Sequence, residues 1–192
     1  MEFQVSAVMI LLVFYGCYFG KMIMQKKRGI QTDQIGKGKV GQARVIELTM
    51  KAATLSVPVA EVISIWLNTS AFPVALRYAG MVIAVLGDVV FVISVVTMRD
   101  SWRAGVSETD KTELVTEGIY RISRNPAFLG FDLVYIGIVL MFFNWVLVVI
   151  SVFAIVMFHL QIVNVEEKFL ANAFGNEYAE YMKRVNRYLG RR

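Results

Sequence analysis

Apolar residues in this chain run in long blocks separated by polar, charge-rich segments, the pattern of helices that cross a bilayer. Residues 3–20 carry no charge, which at about 1.5 Å per helical residue is close to the roughly 30 Å of a hydrocarbon core. A second apolar run, residues 45–67, contains Pro58 and Glu61, and a short polar turn at 68–73 separates it from a third, residues 74–98. After a polar stretch comes the longest block, residues 128–165. It is too long for one crossing, and Asn144 near its middle predicts a hairpin of two helices. The pattern predicts an all-α integral-membrane bundle of about five transmembrane helices. It forms one domain over residues 1–192, with three spans in 1–98 and a polar loop, hairpin and C-terminal helix in 99–192.

Charge adds an orientation. The chain is 57% hydrophobic with net charge +5, and its basic residues cluster. Lys21, Lys26, Lys27, Arg28, Lys37, Lys39, Arg44 and Lys51 follow the first block; Arg99, Arg103, Lys111, Arg121 and Arg124 follow the third. The positive-inside rule then places both segments in the cytoplasm, the N-terminus outside and the C-terminus inside. No basic residue precedes the first block, so it reads as a span and not as a secretory signal. A prokaryotic inner membrane is the expected location. From Glu166 onward, Phe169, Leu170, Ala173, Phe174, Tyr178, Tyr181, Met182 and Val185 recur near helical spacing, with Lys183, Arg184, Arg187, Arg191 and Arg192 among or after them. This predicts an interfacial amphipathic helix beside anionic headgroups. It accounts for the positive balance without nucleic acid, for which no recognition motif is present.

Several features read structurally. Cys17, the single cysteine, cannot form an intrachain disulfide and reads as a packing residue. The run Gly36-Lys37-Gly38-Lys39-Val40-Gly41 lacks the spacing of a phosphate loop and reads as a flexible loop. His159, the only histidine, suits a polar contact within the bundle, and no Cys/His cluster offers a metal site. Glu61 and Asp88 are carboxylates inside predicted spans, where charge is costly, so each is a functional candidate. A break at Pro58 would bring Glu61 near the outer interface; Asp88 is the candidate for a catalytic role.

Two polar segments carry the chemistry. The first has Leu114-Val115, Gly118-Ile119-Tyr120 and Arg124-Asn125-Pro126-Ala127-Phe128; the second has Glu166-Glu167, then Phe174-Gly175, Tyr178 and Tyr181. In this order, on either side of a hairpin, they resemble the signatures of the isoprenylcysteine carboxyl methyltransferases and of the wider group of small integral-membrane methyltransferases that includes the phospholipid methyltransferases. The resemblance covers the C-terminal 40% or so of the chain. It implies an enzyme that binds S-adenosyl-L-methionine on the cytosolic face and transfers its methyl group to a lipophilic, membrane-embedded acceptor.

On that resemblance the cofactor site comprises Thr112, Glu113, Leu114, Val115, Tyr120, Asn125, Pro126, Ala127, Phe128, Glu166 and Glu167. Glu166 would take the cofactor's ammonium, with Glu167 beside it. Tyr120 and Phe128 would offer aromatic faces to adenine or sulfonium. Pro126 biases Asn125 away from helix and would present backbone groups at the mouth of the fourth span. Because the acceptor brings the nucleophile, no Ser/His/Asp constellation is required. Three positions depart from the family pattern: Asn125 replaces a histidine, Phe128 a tyrosine, and Ile162 the arginine associated with a carboxylate substrate. They point to a different nucleophile, such as a lipid amine or a thiol. The other readings are a nicotinamide-dependent membrane reductase of related fold, which paired glutamates disfavour, and a non-catalytic protein that kept the fold.

Overall fold

The computed structural model describes residues 1–106 and 112–191; Lys111 and Arg192 of the basic segments lie outside them. Among the described residues the helices are α1 (Glu2–Lys27), α2 (Gly41–Leu67), α3 (Val74–Met98), α4 (Pro126–Met141), α5 (Trp145–Gln161) and α6 (Glu167–Arg184). Four helical segments are long and apolar enough to cross a membrane, three of them α1, α2 and α3, and the fourth the continuous segment that begins with α5; α4 is a shorter apolar helix. The expected hairpin turns at Asn144. Its side chain accepts from Leu147 N at 2.9 Å, capping α5, and donates to Ser64 Oγ at 2.7 Å and Thr69 Oγ1 at 3.2 Å. One amide thus starts a helix and ties the hairpin to the end of α2. Asn68, at φ 49, closes α2 in the left-handed conformation, which asparagine tolerates better than most residues.

α3 and α4 approach most closely. Gly80 and Gly87 on α3, and Gly130 and Gly137 on α4, are each seven residues apart, two turns along one face. A Cβ added to Gly137 would meet Ala84 N and Cβ and Gly80 O at 2.6 Å, and one on Gly87 would meet Val134 N at 2.8 Å. Small residues let two helices pack backbone to backbone where lipid offers no hydrophobic drive for association.

Pro58 lies inside α2 without ending it. The anticipated break is absent because the helix resumes hydrogen bonding on either side of the one missing donor. Glu61 is therefore not at an interface; it is fully buried and accepts from Tyr15 OH at 3.4 Å. Asp88 is also buried, with Oδ1 unpartnered. His159 is exposed, and its contact is with the C-terminal tail, Nδ1 to Tyr188 OH at 2.6 Å, not with the bundle interior.

The α1–α2 loop, the segment after α3 and the C-terminus gather at one end of the bundle, as an odd number of crossings requires. There the α1–α2 loop is docked: its glycine-rich stretch is held to Glu47 of α2 by Gly36 N and Lys39 Nζ, and the residues before it reach the segment after α3. Gln34 N donates to Ala104 O at 2.8 Å, and Ala104 N to Thr32 O at 3.0 Å. Gln25 Nε2, itself buried, donates to Trp102 O at 3.0 Å. α6 bends at Gly175, φ 49. Tyr178 and Tyr181 seat its apolar face partly on Leu114, so protein takes a share of the surface assigned above to headgroups. The tail then straps back, with Arg124 N donating to Asn186 O at 3.1 Å and Gly190 N to Ile122 O at 2.9 Å.

Candidate functional site

A cavity of about 620 Å³ opens at this end and runs into the bundle. One half is polar and built from the segment before α4 and the segment after α5: Thr112, Glu113, Tyr120, Arg124, Asn125 and Glu166 all reach it. The other half is apolar, walled by Phe19 and Met22 of α1, Met50, Leu55 and Pro58 of α2, and Phe131. Phe19 and Leu55 line the cavity and are also exposed on the outer surface, 52% and 62%. The apolar half therefore opens sideways between α1 and α2. The docked segments add Asp33, Ile35 and Trp102 to the cavity wall, the Trp102 ring packed edge-on against Tyr18 at 5.5 Å.

Glu166 owes its direction to a π turn, Ile162–Glu166, inserted between α5 and α6. In an α-helix two residues five apart lie about 140° apart around the axis, at about 100° each. A π turn widens the coil by nearly one residue and brings i and i+5 onto one face. Gln161, five residues earlier across this turn, is fully buried and donates from Nε2 to Glu47 Oε1 at 3.1 Å, while Glu166 lines the cavity. Burial pushes the Glu166 carboxyl up to about 7, with the nearby charges of Glu47 and Glu167 adding to the rise and Gln161 and Lys39 opposing it. The next residue faces elsewhere. Glu167 accepts from Arg187 Nε at 2.9 Å and Nη2 at 2.8 Å, and pairs with Arg124 Nη1 at 3.0 Å. Burial raises its carboxyl, but the Arg187 hydrogen bond and the two guanidinium charges outweigh that and hold it below the usual range.

Pro126 opens α4 at its first position, and Asn125 before it is non-helical at φ −131, ψ 52, as the Asn-Pro pair predicts. No side chain caps this helix, which leaves the first-turn N–H groups of Ala127 and Phe128 as donors at the cavity wall. The Asn125 amide is committed elsewhere: Nδ2 donates to Arg187 O at 3.0 Å. Tyr120 is nearly buried and fixed through its carbonyl, which accepts from Tyr181 OH at 2.6 Å. Burial, then the neighbouring Tyr181 and Glu166, keep its phenol neutral by raising it.

Of the predicted residues, Thr112, Glu113, Leu114, Val115, Tyr120, Asn125, Ala127, Phe128 and Glu166 share this cavity; Pro126, Glu167 and Asp88 are not among its walls. Ile162 is fully buried and also off the cavity. Arg124, part of the motif but not among the expected site residues, has a side chain only 8% exposed and lines the cavity. Nη1 donates to Tyr178 OH at 2.9 Å, while Nε is buried without a partner. Its place in the Arg-Asn-Pro motif was the available signal. Lys51, Asp33 and Trp102 carried no local signal, because only docking of the loop segments brings them in.

The family model for phospholipid methyltransferases matches residues 75–177, a range holding both halves of the polar wall. Over 111 residues the chain is 32% identical to the probable protein-S-isoprenylcysteine O-methyltransferase of Oryza sativa subsp. japonica, covering 57% of this chain and 58% of that one. It is 33% identical over 108 residues to the protein-S-isoprenylcysteine O-methyltransferase of Saccharomyces cerevisiae, covering 55% and 45%. With protein-S-isoprenylcysteine O-methyltransferase B of Arabidopsis thaliana it shares 28% over 108 residues, 55% of each. The chain spans about half the length of the curated relatives it matches.

Proposed function

This chain belongs to the phospholipid methyltransferase family, and from that premise we propose that it transfers the methyl group of S-adenosylmethionine to a lipophilic acceptor admitted from the bilayer. The observation that carries the reading is convergence. Tyr120, Arg124 and Phe128 from the stretch entering α4, and Glu166 from the turn after α5, meet in one cavity whose remaining wall is apolar and open sideways. In this reading the gathered loops face the cytosol.

The wall fits the donor's parts. Glu166 offers a carboxylate to the ammonium. Arg124 and the open N–H groups of the first turn of α4 suit a carboxylate. Tyr120 and Phe128 supply flat faces for adenine and for the sulfonium cation. S-adenosylmethionine, when bound, supplies an electrophilic methyl on sulfur. The chain's own residues then orient and exclude water: Trp102, Phe19, Met22, Met50 and Leu55 line the cavity and hold an apolar chain beside the polar wall. Since Ile162 lies off the cavity, that position supplies no cation to an acceptor carboxylate. This favours an amine or thiol nucleophile over the carboxylate that the relatives' names imply for those proteins.

Labelled S-adenosylmethionine supplied to membranes containing the protein tests the reading. Label is expected in an extracted lipid, stable to base for an amine or thiol acceptor; base-labile label moves the acceptor to a carboxylate. Tight binding of a reduced nicotinamide nucleotide in place of S-adenosylhomocysteine, with no label transferred, overturns the proposal.

A further inference from the structure

Beyond Arg184 the chain turns back on itself and onto the segment that leads into α4. Asn186 N donates to Gly190 O at 2.9 Å, which closes this strap. The strap is then bonded along the motif. Arg191 Nε donates to Arg121 O at 3.2 Å, Gly190 N to Ile122 O at 2.9 Å and Arg124 N to Asn186 O at 3.1 Å. Asn125 Nδ2 donates to Arg187 O at 3.0 Å. The Arg187 side chain reaches the same place by another route. Its Nε and Nη2 hold both oxygens of Glu167, at 2.9 and 2.8 Å, and Glu167 Oε1 holds Arg124 Nη1 at 3.0 Å. Arg124 Nη1 also donates to Tyr178 OH at 2.9 Å. With Nη1 held twice the guanidinium is fixed, and Nε remains buried without a partner on a side chain that lines the cavity.

Two guanidinium groups around one carboxylate leave one positive charge over at the cavity wall. A buried N–H donor with no protein partner beside such a charge calls for an anion from outside the chain. The proposed function supplies one, the carboxylate of the methyl donor. Resting on that reading, we propose that Arg187 is a positioning residue of the donor site, acting through Glu167 to hold Arg124 ready for the donor's carboxylate. The strap that carries Arg187 is then part of the cofactor site, although it lies beyond residues 75–177 of the family match and beyond both sequence motifs. The adjacent glutamates divide the donor's zwitterion between them: Glu166 takes the ammonium, and Glu167 steadies the cation that takes the carboxylate. Removing Arg187 leaves Arg124 and Glu167 as a neutral pair with one carboxylate oxygen loose, so both the spare charge and the fixed orientation are lost.

The test compares two ligands on the full chain in lipid nanodiscs: S-adenosylhomocysteine and its decarboxylated analogue, which keeps the nucleoside, the thioether and the amine. Wild type is expected to prefer S-adenosylhomocysteine about tenfold or more, the share of one charge-assisted contact. Arg187→Met is expected to cut that preference to about threefold or less, because S-adenosylhomocysteine loses affinity while the analogue keeps its own. Arg124→Met is expected to abolish it. Arg187→Lys keeps a cation on Glu167 without the two-pronged hold, and the lowered preference expected of it keeps the test open if Arg187→Met does not fold. A loss of equal size for both ligands in the Arg187 variants marks the strap as structural only and overturns the proposal. So does a preference that Arg124→Met abolishes and both Arg187 variants leave intact. Equal affinities in wild type overturn the reading of Arg124, and a wild type that binds neither ligand overturns the donor reading itself.

Discussion

Glu166 and Glu167 are adjacent and chemically identical, yet the π turn and the helix after it give them different surroundings, and exchanging each for glutamine separates the roles proposed for them. Glu167 holds three charge-assisted contacts at 2.8–3.0 Å to Arg187 and Arg124. Removing one partner of a buried pair costs about 3–5 kcal/mol. Arg187 is about one-third exposed, so solvent screens part of that pair, and about 2–3 kcal/mol is the expected loss for Glu167→Gln. Its sign with pH is fixed by the lowered carboxyl. The contribution is present above the unfolded value of about 4.3 and is lost as pH falls through the folded value. Thermal melting in detergent should therefore show Glu167→Gln several degrees less stable at pH 7, the gap closing in acid. Glu166→Gln should melt near wild type but lose one charge-assisted hydrogen bond to the donor, about 1.5–3 kcal/mol, or roughly tenfold to a hundredfold in S-adenosylhomocysteine affinity. The reverse pattern, with Glu166→Gln melting early and binding normally, refutes the assignment.

Three further outcomes follow from the same geometry. S-adenosylhomocysteine affinity should rise about fivefold from pH 6 to 7 and less than twofold from 7 to 8, because only ionised Glu166, with its midpoint at about 7, pairs with an ammonium; calorimetry in two buffers of different ionisation heat should show a proton released on binding. Gly137→Ala forces a methyl to within 2.6 Å of Ala84 and should cost about 1–3 kcal/mol of overpacking, read as a lower melting temperature, whereas a variant that melts normally would mean the helices can part freely. Asn144→Ala removes the α5 cap and both ties to α2, an expected loss of about 1–2 kcal/mol, with Asn144→Asp restoring the cap but not the donated bonds.

Apolar block length located α2, α3 and the hairpin within a few residues, and stopped α1 at residue 20 although the helix runs on to Lys27, because a bilayer demands long uncharged runs and helix is the conformation that satisfies their backbone internally. The hairpin turn was legible in Asn144, and the non-helical Asn125 in its proline. Pro58 misled because a missing donor in one helix turn is tolerated within a packed bundle. The α6 pattern was right in period and incomplete in partner, since periodicity reports an apolar face and not what covers it.

Sequence by itself therefore determined the helical architecture, the order of the two motif segments and most of the residues that meet at the cavity. The tertiary structure alone decided that Glu166 turns inward while Glu167 braces the C-terminal strap, because a one-residue widening of the helix rotates everything after it and leaves no mark in the hydrophobic period. It also decided that Arg124 belongs to the cavity, and that Asp33, Lys51 and Trp102, outside the motif segments of the chain, join its wall. Those relations are set by docking of distant loops, and physical neighbourhood across such a separation is not written in local pattern.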